Sequence, residues 1–265
     1  AFQDFNPGRG FFRSRWVGLE NFVFFFESRF AWRLIRNTIV ISVYTIVFGF
    51  PVPIIFALLL NEVRTGPFKK IVQTVSYLPR FISTVVVVGM LISFFNPTNG
   101  VVNELLVSVM GRGEPINFFT TARWFRPLFV GSEIWESFGW SSIIYLAALT
   151  SIDPELHESA EIDGASRFQR VIYINIPGIS NTIIILLILS LGRIMSVGFE
   201  KIILMYSPAV YETADVISTY VYRRGIIGAD FSFATAVGLF NALVNLALLV
   251  TFNWVSRKVS EVSLF

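Results

Sequence analysis

The side chains that could do chemistry in this chain are few, and most of them lie inside apolar sequence. Glu133 and Glu136 are spaced i, i+3, which places both carboxyl groups on one face of a helix, where paired acids could do acid–base work. The chain has no cysteine and one histidine, which excludes thiolate chemistry and a metal site of several histidines. No nucleophile accompanies the two glutamates, so we expect that the chain is not an enzyme.

Two arginines join these glutamates as charges within apolar stretches: Arg80 and Arg193. A charge near the bilayer centre costs at least about 2.5 kcal/mol, so each needs a partner or a water-filled path. Arg193 is expected at the depth of Glu133 and Glu136, which favours an ion pair with one of them. Two alternatives stay open. The four residues could line a translocation path, or the glutamates could carry protons in an ion-coupled secondary transporter.

Amide side chains form a second group of candidates. Asn241 and Asn245 are spaced i, i+4 on one apolar stretch, and Phe240 is adjacent. Planar amides and aromatic faces are suited to binding sugars, so these three residues are candidates for the lining of a translocation path. Asparagine also joins helices to one another within membranes, and this second interpretation is favoured.

The elements that position these residues are those of a membrane protein. Of 265 residues, 54% are hydrophobic and 15% charged, against about 25% charged in a soluble domain. Such a composition excludes a nucleic-acid module and exceeds what one soluble core can bury. Five stretches have roughly the 20 residues that cross a bilayer, and no alternating barrel pattern is present, so we expect helices with kinks at prolines 51, 53 and 79. The stretches are 38–60, 71–95, 127–150, 178–199 and 231–256.

A polar segment, residues 151–177, separates the third stretch from the fourth and predicts a helix-turn-helix elbow. Asp153 is a favourable N-cap, and Pro154 suits the first helical position. Gly164 permits the left-handed conformation that ends the first helix. A second short helix is expected from about Ser166 to Ile174, and Pro177 is expected to close the loop before the next stretch. Local chemistry alone favours an ordinary structured loop over a rigid element that another protein binds.

The residues of this elbow resemble the EAA loop of ABC-importer permeases. The family pattern is E-A-A-x-x-D-G-A followed by x5-F-x-x-I-x-L-P. The chain departs from it at Ser159, Val171 and Ile176, and each change keeps small or apolar character. The residues that match at the family spacing are Glu158, Ala160, Asp163, Gly164, Ala165, Ile174 and Pro177.

The resemblance extends along nearly the whole chain and is strongest to the MalF-like branch of carbohydrate-uptake permeases. That branch includes alginate and uronate-oligosaccharide systems. The segments that resemble the family are WVGLENF at 16–22, NT at 37–38, ALLLN at 57–61, QTVSYLP at 73–79, NPTNGVVN at 96–103 and YETADVISTY at 211–220.

This resemblance implies an all-α membrane protein of the bacterial cytoplasmic membrane, with residues 1–265 forming a single permease domain. The fold it implies is a type I ABC-importer permease bundle with five visible transmembrane helices, one more span expected upstream, and a cytoplasmic coupling helix. The function it implies is ATP-driven import of an oligo- or polysaccharide, with an anionic uronate chain as one form. The ATPase-coupling residues would be Glu158, Ser159, Ala160, Asp163, Gly164 and Ala165.

The partners implied are a second homologous permease in a heterodimer, two ATPase subunits, an extracytoplasmic sugar-binding protein and membrane lipid, with no nucleic acid. The chain has no G-x-x-x-x-G-K-[ST] loop to hold phosphates, so no cofactor is expected on it, and Mg-ATP would bind the partner ATPase subunits.

The distribution of basic residues opposes the orientation that the elbow implies. With the elbow cytoplasmic, the cytoplasmic segments hold seven lysines and arginines and the opposite side holds twelve. The positive-inside rule predicts the reverse. Half of the twelve lie in residues 1–36, whose orientation would be set by the span expected upstream. We therefore base the orientation on the elbow motif.

Overall fold

The computed structural model describes residues 1–8, 10–109, 111 and 113–260, without the side chains of residues 259 and 260. Near the start, β1 (Gln3–Asp4) pairs with β2 (Arg15–Trp16) in an antiparallel hairpin. Helices make up most of the rest. The helices before the elbow are α1 (Glu20–Glu27), α2 (Ala31–Glu62), α3 (Pro67–Phe81), α4 (Thr84–Phe94), α5 (Val101–Ser108) and α6 (Ala122–Thr150).

The helices of the elbow and beyond complete the fold. A 3-10 turn, Pro208–Val210, precedes α11, and a π-helical segment, Tyr222–Ile227, follows α12 directly. These helices are α7 (Pro154–Ile162), α8 (Arg167–Gly178), α9 (Ser180–Leu191), α10 (Phe199–Met205), α11 (Tyr211–Ala214), α12 (Ile217–Val221) and α13 (Phe231–Ser260).

Each predicted span has a helical counterpart. Within the described residues, α2 and α13 are long and apolar enough to cross a membrane by themselves, and they contain the first and fifth predicted spans. The third lies in α6, which at 29 residues is long enough to cross but is more polar, since it carries Glu133 and Glu136. A π-helical turn, Thr45–Gly49, comes just before Pro51 in α2, so the backbone is irregular near that proline.

Two predicted spans are broken. The second is interrupted between α3 and α4, because Ile82 and Ser83 are extended, and the Ser83 hydroxyl then caps α4 by accepting from the Val86 amide. The prediction that the fourth span continues to residue 199 is wrong, since α9 ends at Leu191. That span is instead the pair α8 and α9, bent by 60° at a short break. Counting each bent pair as one span gives up to four apolar spans, with α6 in addition.

The chain folds into two compact units, each assembled from segments that are distant in the sequence. The first unit comprises Ala1–Val43, Ser83–Phe129 and Arg193–Leu248. Its core contains the buried side chains of Phe25, Leu34 and Phe233, with the Phe25 ring 6.2 Å from that of Phe233. Fully burying an aromatic or leucine side chain is worth about 1.5–3 kcal/mol in water, and in lipid the same contacts act through packing instead.

The second unit comprises Tyr44–Ile82, Val130–Gly192 and the residues from Leu249 onward. Its core brings Ala57 and Leu58 of α2 against Tyr145 and Leu149 of α6, with Ile179 at the break between α8 and α9. This cluster therefore fixes the position at which the elbow joins α9.

A very close backbone approach in the second unit occurs at Gly139 of α6. A Cβ atom built there would lie 2.0 Å from the carbonyl oxygen of Ser76 in α3, whereas one built at Gly131 meets nothing within 4 Å. Small residues allow this kind of helix contact in membrane proteins.

We expect Gly139→Ala to destabilise the protein by about 1–3 kcal/mol, because the added methyl group forces α3 and α6 apart. Gly131→Ala on the same helix is the control and should be neutral or slightly stabilising, since alanine favours helix. Thermal unfolding in detergent measures both variants. Equal melting temperatures would show that the Gly139 contact does not matter.

Candidate coupling loop and translocation residues

The elbow begins as its sequence predicts. The Asp153 carboxyl oxygen accepts a hydrogen bond from the Glu155 amide at 3.0 Å, and Pro154 occupies the first turn of α7. This cap satisfies a backbone donor that has no partner within the helix, so the start of α7 is fixed by residues next to it in the sequence.

The predicted coupling residues form one tight turn at the end of α7. Gly164 has φ +80, its amide donates to the Glu161 carbonyl at 3.0 Å, and the Ala165 amide donates to the Ala160 carbonyl at 2.8 Å. These two bonds make a Schellman motif, in which a left-handed residue ends the helix. The Asp163 amide also donates to the Ser159 carbonyl. The turn is thus held by backbone bonds, and its side chains are free to contact a partner.

The second half of the elbow begins at a capping box. The Ser166 hydroxyl accepts from the Gln169 amide, and the Gln169 side chain accepts from the Ser166 amide. An ion pair between Arg170 of α8 and Glu161 of α7 joins the two helices. The prediction that the second helix ends at about Ile174 is wrong. The helix α8 runs through Pro177 to Gly178, with a π-helical segment ahead of the proline that accommodates its missing donor.

The outer surface of the elbow carries apolar side chains beside acidic ones. Ile162 is 87% exposed and Phe168 is 73% exposed, and Leu156 is exposed as well. Glu158 and Asp163 are exposed between them. Exposed apolar side chains rimmed by polar residues mark interaction sites, so this surface is suited to contact another protein.

The charged residues predicted for the translocation path lie in different surroundings. Arg80, in the last turn of α3, is exposed, and Arg193, just after α9, is exposed too. On α6, Glu133 is half-buried and Glu136 is buried, and each has an interaction partner. Arg193 belongs to the first unit and the two glutamates to the second, and the ion pair between them stays a prediction.

The two asparagines of α13 have different environments. The Asn245 carbonyl oxygen accepts from the Met195 amide at 3.1 Å, and its amide nitrogen donates to the Ser196 hydroxyl at 2.9 Å. Asn245 therefore joins α13 to the irregular segment after α9, as favoured for a helix-joining asparagine. Phe240 packs against the core of the first unit, 5.1 Å from the Phe26 ring.

Asn241 instead lines a cavity of about 340 Å³ within the first unit. The wall is formed by α10, α12, the π-helical segment and α13. Ser218 and Asn241 are polar, and Tyr222 and Phe199 supply aromatic faces. In the described part of the chain, the Ser218 hydroxyl oxygen and the Asn241 carbonyl oxygen are buried without hydrogen-bond partners. Two residues of the cavity lining thus carry oxygens without hydrogen-bond partners, and the same lining contains aromatic rings, which suit the faces of sugars.

Sequence reasoning missed the most buried charged group of the first unit. The Asp215 side chain has no exposed surface. Both oxygens of its carboxylate accept a hydrogen bond from Arg223 Nη2 at 2.8 Å. The carboxylate also accepts from the Thr219 hydroxyl at 2.8 Å and from Arg33 Nη2 at 3.3 Å. The Asn37 side chain donates to the Asp215 carbonyl at 2.9 Å. We refer to Asp215, Arg223, Thr219, Arg33 and Asn37 as the Asp215 network.

The Arg223 guanidinium is held on several sides. It donates to the Tyr206 hydroxyl at 3.2 Å and lies over the Tyr211 ring at 4.7 Å. Burial by itself lowers the pKa of Arg223, but the hydrogen bonds to Asp215 and Tyr206 and the charge of Asp215 outweigh that effect. The pKa therefore lies above its ordinary value, and Arg223 stays charged.

A signal for this network was present in the sequence. Asp215, Thr219 and Tyr211 belong to the segment 211–220, and Asn37 belongs to the pair at 37–38, both of which carry the family resemblance. The Thr38 hydroxyl also accepts from the Ile217 amide at 3.1 Å. Two motifs separated by more than 170 residues are thus the two halves of one contact.

Comparison with known proteins identifies the family. The profile of the family described as "Binding-protein-dependent transport system inner membrane component" matches residues 49–261. The chain belongs to this family. It is a permease subunit of an ABC importer in the cytoplasmic membrane, acts with a binding protein and is not itself an enzyme. The ion-coupled transporter that the sequence left open receives no support.

Two relatives from Bacillus subtilis (strain 168) match the whole chain at 43% identity. They are Protein LplB, of which the match covers 83%, and the Polygalacturonan/rhamnogalacturonan transport system permease protein YteP, of which it covers 82%. All 265 residues of the permease sequence are therefore similar to both relatives.

Solved structures agree. The permease is 46% identical to a chain of a bacterial alginate ABC transporter in complex with an alginate pentasaccharide-bound periplasmic protein, with a TM-score of 0.89 over 94% of this chain and 85% of that chain. A second structure, of a bacterial ABC transporter involved in the import of the acidic polysaccharide alginate, gives 47% identity and a TM-score of 0.88 over 92% of this chain and 85% of that chain. The fold is that of an ABC-importer permease.

The two asparagines of α13 should respond differently to substitution. We expect Asn245→Leu to lower stability by about 1–3 kcal/mol, because it removes two hydrogen bonds and leaves the Met195 amide without its acceptor. Asn241→Leu should keep stability, because the carbonyl oxygen it removes has no partner, and should impair transport instead. Thermal unfolding and transport in proteoliposomes separate the effects, and equal loss of stability in both variants would contradict this division.

Proposed function

We propose that this permease moves an acidic oligo- or polysaccharide of the uronate type, delivered by an extracytoplasmic binding protein, across the cytoplasmic membrane. The support is the agreement between a relative and two solved structures. One relative is named for polygalacturonan and rhamnogalacturonan, and two structures at 46% and 47% identity are alginate transporters. Polygalacturonan, rhamnogalacturonan and alginate are all polysaccharides that contain uronic acids.

The proposed translocation path includes the cavity lined by Asn241, Ser218 and Tyr222. Its lining residues are uncharged, and its buried oxygens lack partners. Saccharide hydroxyl groups would satisfy these oxygens, and the aromatic faces of Tyr222 and Phe199 suit the apolar faces of sugar rings. The exposed Arg80 and Arg193 are proposed to contribute along the path, where a positive charge raises the local concentration of an anionic chain.

The turn around Gly164 is proposed as the element that couples transport to ATP. Its fixed backbone and the exposed Ile162 and Phe168 side chains would dock on an ATPase subunit, with Glu158 and Asp163 at the rim of the contact. The assembly proposed is a heterodimer of this chain with a second permease, together with two ATPase subunits that bind Mg-ATP. The observation that carries this proposal is the backbone-locked turn at the family's coupling position.

Replacing Gly164 should uncouple the two activities. A Cβ at Gly164 meets nothing within 4 Å, so the constraint on this position is its positive φ. A β-branched residue is strained there by roughly 1–2 kcal/mol, whereas asparagine tolerates this region. We therefore expect Gly164→Val to reduce transport and saccharide-stimulated ATP hydrolysis while the chain stays folded, and Gly164→Asn to keep most of both. Full coupling in the valine variant would remove the turn from the mechanism.

The substrate is tested with the purified complex of permeases, ATPase subunits and binding protein in proteoliposomes. Saccharide-dependent ATP hydrolysis is compared for oligogalacturonate, alginate oligosaccharides and a neutral glucan of equal length. We expect stimulation by an acidic chain and at most a weak effect of the neutral one. Stimulation by the neutral glucan alone would reject the uronate substrate, and transport without any ATPase subunit would reject the coupling scheme.

A further inference from the structure

The Asp215 network includes Thr219 and Arg223, which are adjacent in the sequence to two residues of the cavity wall, Ser218 and Tyr222. We propose that Asp215 and Arg223 are positioning residues for saccharide translocation, and that they hold Ser218 and Tyr222 in the geometry that binds the saccharide. This inference rests on the proposed function of the cavity. It adds a requirement for two residues that do not themselves line the cavity.

The residues from 217 to 227 present two faces. Thr219 and Arg223, spaced i, i+4, bind the Asp215 carboxylate. Ser218 and Tyr222, also spaced i, i+4, line the cavity. Residues at this spacing share one helix face, so the segment joins the network on one face to the cavity on the other. A shift of the network face therefore moves the cavity wall with it.

The network is anchored outside that segment. The Asn37 side chain, on α2, donates to the carbonyls of Glu212 and Asp215, and Arg126 of α6 donates to the Asn37 side-chain oxygen at 2.9 Å. Asp215 thus connects the cavity wall to helices of the first unit that are well separated in sequence. Because the Asp215 side chain is buried, water cannot replace its protein partners, and its geometry is well defined.

The geometry at position 223 requires the forked guanidinium group of an arginine. One terminal nitrogen bonds both Asp215 oxygens, while the other reaches the Tyr206 hydroxyl, and the planar group lies over Tyr211. Lysine keeps the charge but cannot make these bonds together. Arg223→Lys therefore tests position rather than charge.

The next residue supplies a matched control. Arg224 lies in the same π-helical segment, forms an ion pair with Asp230 at 3.0 Å and lies over the Phe24 ring at 4.0 Å. It is not among the residues that line the cavity, and its carboxylate partner is Asp230, whereas that of Arg223 is Asp215. Arg224→Lys makes the same chemical change one position away.

A single thiol can report on the cavity, because the chain has no cysteine. Gly238 lines the cavity on α13, and a Cβ built there meets nothing within 4 Å. The full complex with Gly238→Cys is treated with a small neutral thiol reagent, with and without oligogalacturonate or alginate oligosaccharide. The same complex without this substitution gives the background labelling.

We expect saccharide to slow labelling of this reporter. Arg223→Lys should raise the saccharide concentration that halves the labelling rate (half-protection) by about tenfold or more, because a small misplacement of binding groups has effects of that order. Arg224→Lys should change this concentration by less than about twofold, because it leaves the binding groups in place. Size-exclusion profile and melting temperature establish that both variants assemble. If Arg223→Lys does not assemble, Thr219→Val, which removes one hydrogen bond to Asp215, takes its place.

The outcomes separate the two proposals. Equal half-protection in the Arg223 and Arg224 variants would overturn the positioning role. If no saccharide protects the unmodified reporter complex, the proposed path through this cavity fails. The positioning role for the saccharide then fails with it, and this outcome differs from equal half-protection, in which the cavity binds saccharide but Arg223 does not position its wall.

Discussion

A buried carboxylate constrains the first unit of this permease. Asp215 has no exposed surface, and it is stable there because two arginines and a threonine hydroxyl donate to its carboxylate. Removing one partner from such a pair typically costs about 3–5 kcal/mol. The helices that supply these groups must therefore keep their places. The cavity wall, formed by the same residues 217–227, takes its position from this arrangement.

The coupling loop depends on a different kind of constraint. Its turn is fixed by backbone hydrogen bonds, two side-chain caps and one glycine with positive φ, so its shape does not depend on distant contacts. The apolar side chains that remain exposed are then available for a partner. A rigid turn transmits movement because it does not absorb it by bending, and this property suits the proposed contact with an ATPase subunit.

Irregular backbone occurs within α2, within the second helix of the elbow and in the cavity wall. In the described residues, π-helical segments occur at Thr45–Gly49, Val171–Asn175 and Tyr222–Ile227, and the first two come just before prolines at 51 and 177. A wider turn accommodates the carbonyls that proline leaves without donors. Such segments are frequent at functional sites, and here one of them carries Tyr222 on one face and Arg223 on the other.

The sequence by itself determined the features that depend on neighbouring residues. The apolar stretches gave the helices, Asp153 and Pro154 gave the start of the elbow, and Gly164 gave its turn, because caps and positive φ are local properties. The family also followed from short motifs at fixed spacing. The sequence did not give the break at residues 82–83, the early end of α9 or the continuation of α8 through Pro177, since backbone irregularities are decided by packing. It could not show that Asn245 is satisfied by Met195 and Ser196 while Asn241 faces a cavity, although both have the same helical spacing. Only the tertiary structure brought Asn37 to Asp215 and Arg223, because a contact across more than 170 residues depends on which helices pack together.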